Sequence, residues 1–410
     1  MKPRHILFLP IITLLAACGS LAPGGPAPEA PVSQNWKSVT GDIAWINAEI
    51  SADARQQWQS GEWWRLFGDA ALDDLMPQVA VGNQNLAQMV ANVAEAEALL
   101  RQAESARWPV LGVNFSTGRS GKPAVGSAAA SVSASWSPDL WGDLADAVRA
   151  QKANVEASQA DLAAAQLSAQ GSFAQGYFTV READAELALL DDIIKGYLDA
   201  EKMTQNRYDA GIAAHTDLLQ AQSTLASAHA SREQLAASRA VTEHALALLL
   251  GQPPASFSLP PADWSPVVPP IPAALPSDLL LRRPDIASSE RAVAAANANI
   301  GVARGAYFPS IGLTGSAGRT ASRLSELLSA PARVWSLGLS LAETLFDGGA
   351  RGSQLDLAWA RHAAATASYR QTALTAIGQV EDNLTQLAAQ ARQIEQTRIA
   401  AEAAEGAACA

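Results

Sequence analysis

Cysteine is almost missing from this chain: Cys18 and Cys409 are the two in 410 residues. They offer no CxxC, and two cysteines at opposite ends of the sequence make neither a disulfide framework nor a zinc site. The five histidines, His5, His215, His229, His244 and His362, never fall at a ligand spacing such as HExxH. There is no GxSxG, and no carboxylate or histidine pair stands out from ordinary surface charge, so neither an enzyme, a metal site nor a cofactor is expected. Charged residues make up only 17% and the net charge is -11. That balance excludes the basic face a nucleic-acid partner would need. Apart from the N-terminal segment, no run approaches the roughly 18 apolar residues of a membrane-spanning helix. Any insertion into a bilayer therefore has to be of the β kind, because only helices and closed barrels satisfy their backbone groups there.

What is present begins with a leader. Lys2 and Arg4 precede an apolar run from Ile6 to Leu15, followed by Ala16-Ala17-Cys18-Gly19. A positive start, a short apolar stretch and small residues at the cut make a secretory signal of residues 1–17. Cleavage just before a cysteine resembles the bacterial lipoprotein signal, which makes Cys18 the lipidated first residue of the mature chain. A plain signal peptide with an incidental cysteine is the alternative. The resemblance also implies that Gly19, not being Asp, directs the product to the outer membrane. Residues 21–31, rich in Pro, Gly and Ala, suggest a flexible tether, within a lipid-anchored N-terminal segment over 18–57.

Ser131, Ser133, Ser135 and Ser137 alternate with Val132, Ala134 and Trp136. A period of two puts the serines on one face of a strand and the apolar residues on the other. The same pattern would also suit a half-exposed strand of a soluble sheet. Three more stretches share it: Leu111, Val113, Phe115 and Thr117; Ile311, Leu313, Gly315 and Ala317; and Trp335, Leu337, Leu339 and Leu341, each interleaved with Gly, Ser, Thr or Asn. Between them the pattern is helical. One helix is expected over 72–106, stopped by Trp108-Pro109. A very long one is expected over 144–210, on the order of 100 Å at 1.5 Å per residue, with Leu187, Leu190, Ile194 and Tyr197 as its core stripe. Gly211 suits a left-handed helix end, Thr216 could cap the returning helix and Asp217 suits its first turn.

The chain then repeats itself. Ala306-Tyr307-Phe308-Pro309 lies 200 residues after Ala106-Arg107-Trp108-Pro109. Leu345-Phe346-Asp347-Gly348-Gly349 occupies the place of Leu140-Trp141-Gly142-Asp143. The expected organisation is a first repeat over 58–257, with a β-hairpin at 110–138 and a helical-hairpin tip at 207–219. A proline-rich linker spans 258–276, and a second repeat runs over 277–410 with a β-hairpin at 310–342. Four strands of about ten residues fit a tilted bilayer crossing but cannot close a barrel, for which about eight are needed. Their edges call for other subunits, and three copies would supply twelve strands.

The run Leu279-Leu280-Leu281-Arg282-Arg283-Pro284-Asp285-Ile286, continuing through Ala295-Ala296-Asn297-Ala298-Asn299-Ile300-Gly301 to Tyr307-Phe308-Pro309, resembles the TolC-type outer-membrane efflux proteins. It is most similar to their lipidated branch, which works with resistance–nodulation–division pumps. Tyr208-xx-Gly211 with Asp217-Leu218-Leu219 resembles the family's periplasmic hairpin tip. The resemblance implies an α+β membrane protein with four transmembrane β-strands per protomer. A homotrimer would form a twelve-stranded barrel in outer-membrane lipid, continued by a long α-helical barrel in the periplasm. It implies a passive export channel for drugs or other toxic solutes, reached through a periplasmic adaptor (membrane fusion protein) bound to an inner-membrane pump. The alternative is a non-conducting periplasmic coiled-coil lipoprotein adaptor.

Arg207, Tyr208, Asp209, Gly211 and Asp217 are the candidates for docking or gating at the tip; a solvated charged end is the alternative for the charged ones. Arg282, Arg283, Pro284 and Asp285 mark the repeat junction, where proline suits a first helical turn and Asp the helix dipole; packing is expected there rather than ligand contact. Trp136, Trp141 and Trp335 suit an interfacial aromatic belt, or a core. By the repeat, a second tip would fall just beyond Ala410, so a truncated second repeat is expected.

Overall fold

The computed structural model describes residues 20–24, 29, 61–121, 125–262, 267–269, 282–327 and 333–408. The leader, Cys18, Cys409 and most of the 258–276 linker lie outside them. The chain divides into two compact units. One comprises residues 1–34, 92–161 and 276–382; the other comprises 35–91, 162–275 and 383–410.

The first unit carries the sheet. Strands β1 (Val110–Ser120), β2 (Val125–Trp136), β3 (Ser310–Ala321) and β4 (Arg333–Ala342) pair antiparallel in the order β1-β2-β3-β4. The register is continuous. Val113 faces Val132, which faces Ala317, which faces Trp335; one step along, Gly112 faces Ser133, which faces Ser316, which faces Ser336. Because side chains alternate along every strand, this register sorts the whole sheet. Leu111, Val113, Phe115, Val132, Trp136, Leu313, Trp335, Leu337, Leu339 and Leu341 fall on one face; Gly, Ser, Thr and Asn dominate the other.

The helices are α1 (Ala70–Gly82), α2 (Gln84–Ser105), α3 (Asp143–Asp209), α4 (His215–Leu249), α5 (Pro284–Gly305) and α6 (Ala350–Ala408). The expected single helix over 72–106 is two helices. The break is at Asn83, whose Oδ1 accepts from Asn85 N at 2.9 Å and Leu86 N at 3.2 Å, capping α2 in place of backbone continuity. Gly82 and Gly251 meet back to back there: a Cβ on either would overlap the other strand of backbone, and Gly251 has φ +70°.

The core of the second unit repeats one helical rhythm. Leu72, Met76 and Val79 on α1 and Phe173, Tyr177 and Val180 on α3 recur at i, i+4 and i+7, and all six are fully buried. They pack with Trp64, Leu246, Leu250 and Leu259. In the stripe expected on α3, Ile194 is buried, whereas Tyr197 is 39% exposed.

Candidate functional site

Among the described residues no cluster of His, Cys, Asp and Glu could hold a metal ion, and no helix is long and apolar enough to cross a membrane. The features that can act are a wall, a clamp and a turn.

The wall is the sheet. On its apolar face Leu111, Val113, Trp335, Leu337, Leu339 and Leu341 are each about 70–80% exposed, an area of large hydrophobics that water would not leave bare. Its other face is small, polar and internally bonded. Asn114 Nδ2 donates to Ser133 Oγ at 3.2 Å, the Ser316 and Ser336 hydroxyls pair at 2.8 Å, and Ser340 Oγ donates to Gly312 O at 3.2 Å. This is the surface of a wet lumen backed by a lipid-facing exterior. Of the belt tryptophans, Trp335 is exposed on the apolar face. Trp136 Nε1 donates to Arg107 O at 2.9 Å. Trp141 turns inward, donating to Pro309 O at 2.7 Å and stacking on Phe308 with centroids 5.1 Å apart. Its place is in the strand–helix junction, not the belt.

At that junction an aspartate caps the long helix of each repeat. Asp139 accepts from Gly142 N (2.9 Å) and Ala145 N (2.8 Å) before α3. Asp347 accepts from Gly349 N (2.9 Å), Arg351 N (3.0 Å) and Arg351 Nε (2.8 Å) at the start of α6. The Arg351 guanidinium and these amides hold the Asp347 carboxyl at about 2.

The clamp was not visible in the sequence and corrects the flexible tether over its first residues, 21–24. Residues 20–24, just after Cys18, are held on α3 and α5. Ser20 Oγ and Leu21 N donate to the two oxygens of Asp146, at 2.7 and 3.0 Å. Arg304 Nη1 donates to Leu21 O at 2.9 Å, and Asn297 Nδ2 to Pro23 O at 3.1 Å. Asp146 is fully buried, paired also with Arg149. Gly301 is what lets Asp146 approach, since a Cβ there would overlap its carboxylate and Ala22 N. Among the repeat-junction residues, Arg283 grips Asp285 with two bonds, Nε to Oδ1 at 3.0 Å and Nη2 to Oδ2 at 2.7 Å, and reaches Gln379 on α6 at 2.9 Å. That pairing lowers the Asp285 carboxyl below its ordinary range. Pro284 opens α5 and Arg282 is exposed.

The turn lies in the second unit, between α3 and α4. Ile212 N donates to Arg207 O and Gly211 N to Tyr208 O, both at 2.8 Å. With Gly211 at φ +73°, this is the paired 6→1 and 5→2 closure of a Schellman motif. Thr216 is not the cap of α4. Ala214 is, and the Asp217 carboxylate accepts from Ala214 N at 3.3 Å. Tyr208 and His215 lie with ring centroids 5.2 Å apart, and Gln205 donates to Asp209 at 2.8 Å. Arg207, Tyr208, Asp209, Gly211 and Asp217 are thus brought into one turn, all exposed.

The start of the linker, at Leu259 and Pro260, is also tied down, by a network that no local spacing announces. Arg181 Nη1 donates to Pro260 O and Arg239 Nη2 to Leu259 O, each at 2.7 Å; both arginines pair with Asp184. Arg181 Nε donates at 3.1 Å to the Tyr177 hydroxyl, which donates to the Asp69 carboxylate at 2.8 Å.

Known proteins carry the same pattern. A family model described as "Outer membrane efflux protein" matches residues 75–252 and 275–409. The outer membrane protein OprJ of Pseudomonas aeruginosa is 30% identical over 396 residues, covering 93% of this chain and 81% of that protein. The probable outer membrane lipoprotein SilC of Salmonella typhimurium is 27% identical over 421 residues, covering 99% and 89%. A solved structure of the outer-membrane channel OprN superposes with a TM-score of 0.82 at 29% identity, over 92% of this chain and 85% of that one. An exposed four-stranded wall, apolar outside and small-polar inside, is what such a channel contributes to its barrel, and a coiled-coil adaptor has no use for it. The chain belongs to the outer membrane efflux protein family and is a channel subunit of the outer membrane.

Proposed function

We propose that three copies of this chain close a twelve-stranded barrel and form a passive exit duct for drugs or other toxic solutes. An inner-membrane pump of the resistance–nodulation–division type delivers the solute through a periplasmic adaptor, and selection rests with the pump. The observation that carries this reading is the sheet itself. Within the described residues β1 and β4 each pair on one side only, while their apolar face is exposed. In a bilayer, unpaired strand edges are not tolerated. Pairing β1 of one copy with β4 of the next removes both edges. Cys18 carries the lipid anchor in this reading, and residues 20–24, which follow it in sequence, are clamped to α3 and α5. The turn of Arg207, Tyr208, Asp209, Gly211 and Asp217 is the adaptor contact, and Arg283 with Asp285 positions α5 against α6.

The test is cross-linking in native membranes. A Cys409→Ser background with Phe115→Cys on β1 is scanned against single cysteines at positions 335, 337, 339 and 341 of β4, using a short bis-maleimide. A ladder that stops at three copies for at least one pair, together with single-channel conductance of the purified oligomer, is the expected result. Monomer at every position, or a ladder running past three, would overturn it.

A further inference from the structure

The two repeats meet inside the chain, and that seam is a template for one the chain leaves open. Val110 faces Ser135 in the first hairpin and Ser310 faces Ala342 in the second, so β3 corresponds to β1 at an offset of 200 residues and β4 to β2 at an offset of 207. Helices α3 and α6 begin at Asp143 and Ala350, and the left-handed glycines before them are Gly142 and Gly349, each pair again 207 apart. This places Gly349, not Asp347, on Gly142, two residues from the match the sequence suggested.

Within the chain β2 meets β3 with Trp136 opposite Leu313. Five residues further along, the same register brings Trp141 opposite Phe308, the pair that stacks at 5.1 Å. Transferred by the two offsets, this register sets how β4 of one copy meets β1 of the next: Leu341 opposite Phe115, Phe346 opposite Val110 and Gly348 opposite Trp108. Trp108, Val110 and Phe346 are 73%, 67% and 88% exposed, and a Cβ on Gly348 would meet nothing within 4 Å. Val110 lies opposite Ser135 on the small-polar face, where lipid does not cover it as it covers Leu111. Bare apolar groups at both edges of one sheet fit a second copy of the chain, joined head to tail. The helices repeat the fit. Across the internal seam Gly301 and Gly305 of α5 make room for Asp146 and Asp143 of α3. At the corresponding places the sizes are exchanged: α2 carries Arg101 and Ser105, and α6 carries Ser353 and Ala350.

We propose that Trp108 and Val110 of one copy pack against Phe346 and the Gly348–Gly349 turn of the next, closing the seam between copies at the helix end of the sheet. Opposite residues share a face, and diagonal ones stay within aromatic reach. Phe346 therefore covers Val110 and touches the Trp108 ring, which lies over the bare glycines. This contact is the counterpart, between copies, of Trp141 on Phe308 within one. It also fixes which residues of β1 and β4 pair. The strands alone would allow a slip of two residues, which keeps every side chain on its own face. The inference rests on copies pairing β1 with β4, and the experiment separates the two.

Disulfides read that register directly. In the full-length Cys409→Ser chain in native membranes, Val110→Cys is combined with Thr344→Cys, Phe346→Cys or Gly348→Cys and oxidised with copper phenanthroline. Opposite residues have Cα atoms about 5 Å apart. A slip of two residues moves them about 7 Å along the strand, so they end about 8–9 Å apart, beyond the roughly 7 Å a disulfide can bridge. Val110→Cys/Phe346→Cys alone should give a covalent ladder ending at three copies. In a second arm, Trp108→Ala, Phe346→Ala and the double variant are compared for the rate at which the purified oligomer dissociates in dodecyl sulfate. Each single change should speed dissociation about tenfold and the double little more, because both remove one shared contact. A ladder of three through position 344 or 348 would overturn the register and its seam while the trimer stands. Cross-linking of Phe115→Cys to β4 with none of these three pairs reacting would do the same. Alanine effects that are absent, or that simply multiply, would overturn the aromatic contact. No ladder from Val110→Cys or from Phe115→Cys would overturn the trimer reading and the seam together.

Discussion

Tyr177 shows what a single buried polar residue does in a helix otherwise packed with alanine. Its ring is fully buried, and its hydroxyl donates to Asp69, the residue that also caps α1 by accepting from Ala71 N and Leu72 N at 3.0 and 3.1 Å. Burial above all, with the Asp69 bond adding and Arg181 opposing, pushes the phenol up to about 12. In the unfolded chain it titrates near 10. The folded form therefore keeps a proton that the unfolded form releases, so this contribution is complete below about pH 10 and is lost as pH rises toward 12. Over that window wild type should lose about 2 kcal/mol more unfolding free energy than Tyr177→Phe, measured by denaturant titration at a series of pH values. Parallel curves would mean the hydroxyl is solvated. No sequence reading could have found this bond, because its partners are 108 residues apart and neither sits in a motif. The same holds for Asp146, which looks like one more acid in the first turn of α3 until Ser20 and Leu21 come back to it across 126 and 125 residues.

Elements were legible wherever a period survived. The strands announce themselves by strict alternation, and the tip by Gly211, because a left-handed closure there needs the one residue without a Cβ cost. The break at Asn83 was hidden by the reverse logic. Apolar and alanine positions carry the helical rhythm straight through it, and only the packing of Gly82 against Gly251 shows why the axis must stop. The cap of α4 was misplaced on Thr216 because a hydroxyl is the commoner cap, whereas here the Asp217 carboxylate reaches back to Ala214 N and leaves the cap position to an alanine. The tip gives its own prediction. Gly211→Ala forces a Cβ into φ +73° at a cost of about 1 kcal/mol, with no neighbour within 4 Å to clash. The strain should therefore loosen the turn alone. Amide exchange of residues 207–214 should speed up about fivefold while α3 near Phe173 keeps its protection, read by hydrogen–deuterium exchange. Loss of protection across both helices would show that the turn holds the hairpin together.

For the molecule as a whole, what matters is which face of the sheet meets lipid, and adjacent residues of one strand answer it. Val132 sits between Val113 and Ala317 on the apolar face; Ser133 sits between Gly112 and Ser316 on the polar one. Their positions along β2 differ by a single residue, so depth, strand propensity and distance from either edge are nearly matched. An arginine at 132 would have to be held in hydrocarbon, at about 2–4 kcal/mol per copy near the midplane, and every copy in the barrel would bear that cost. An arginine at 133 would enter a water-filled lumen, lose the Asn114 hydrogen bond, and add a ring of positive charge to the conduit. Val132→Arg should then abolish the heat-resistant oligomer in outer-membrane fractions, whereas Ser133→Arg should assemble at near wild-type yield. Its conductance in planar bilayers should be lower and shifted toward anions. The two readouts separate embedding from lumen polarity. If both variants fail to assemble, or both assemble with unchanged conductance, the assignment of the serine face to the lumen is wrong.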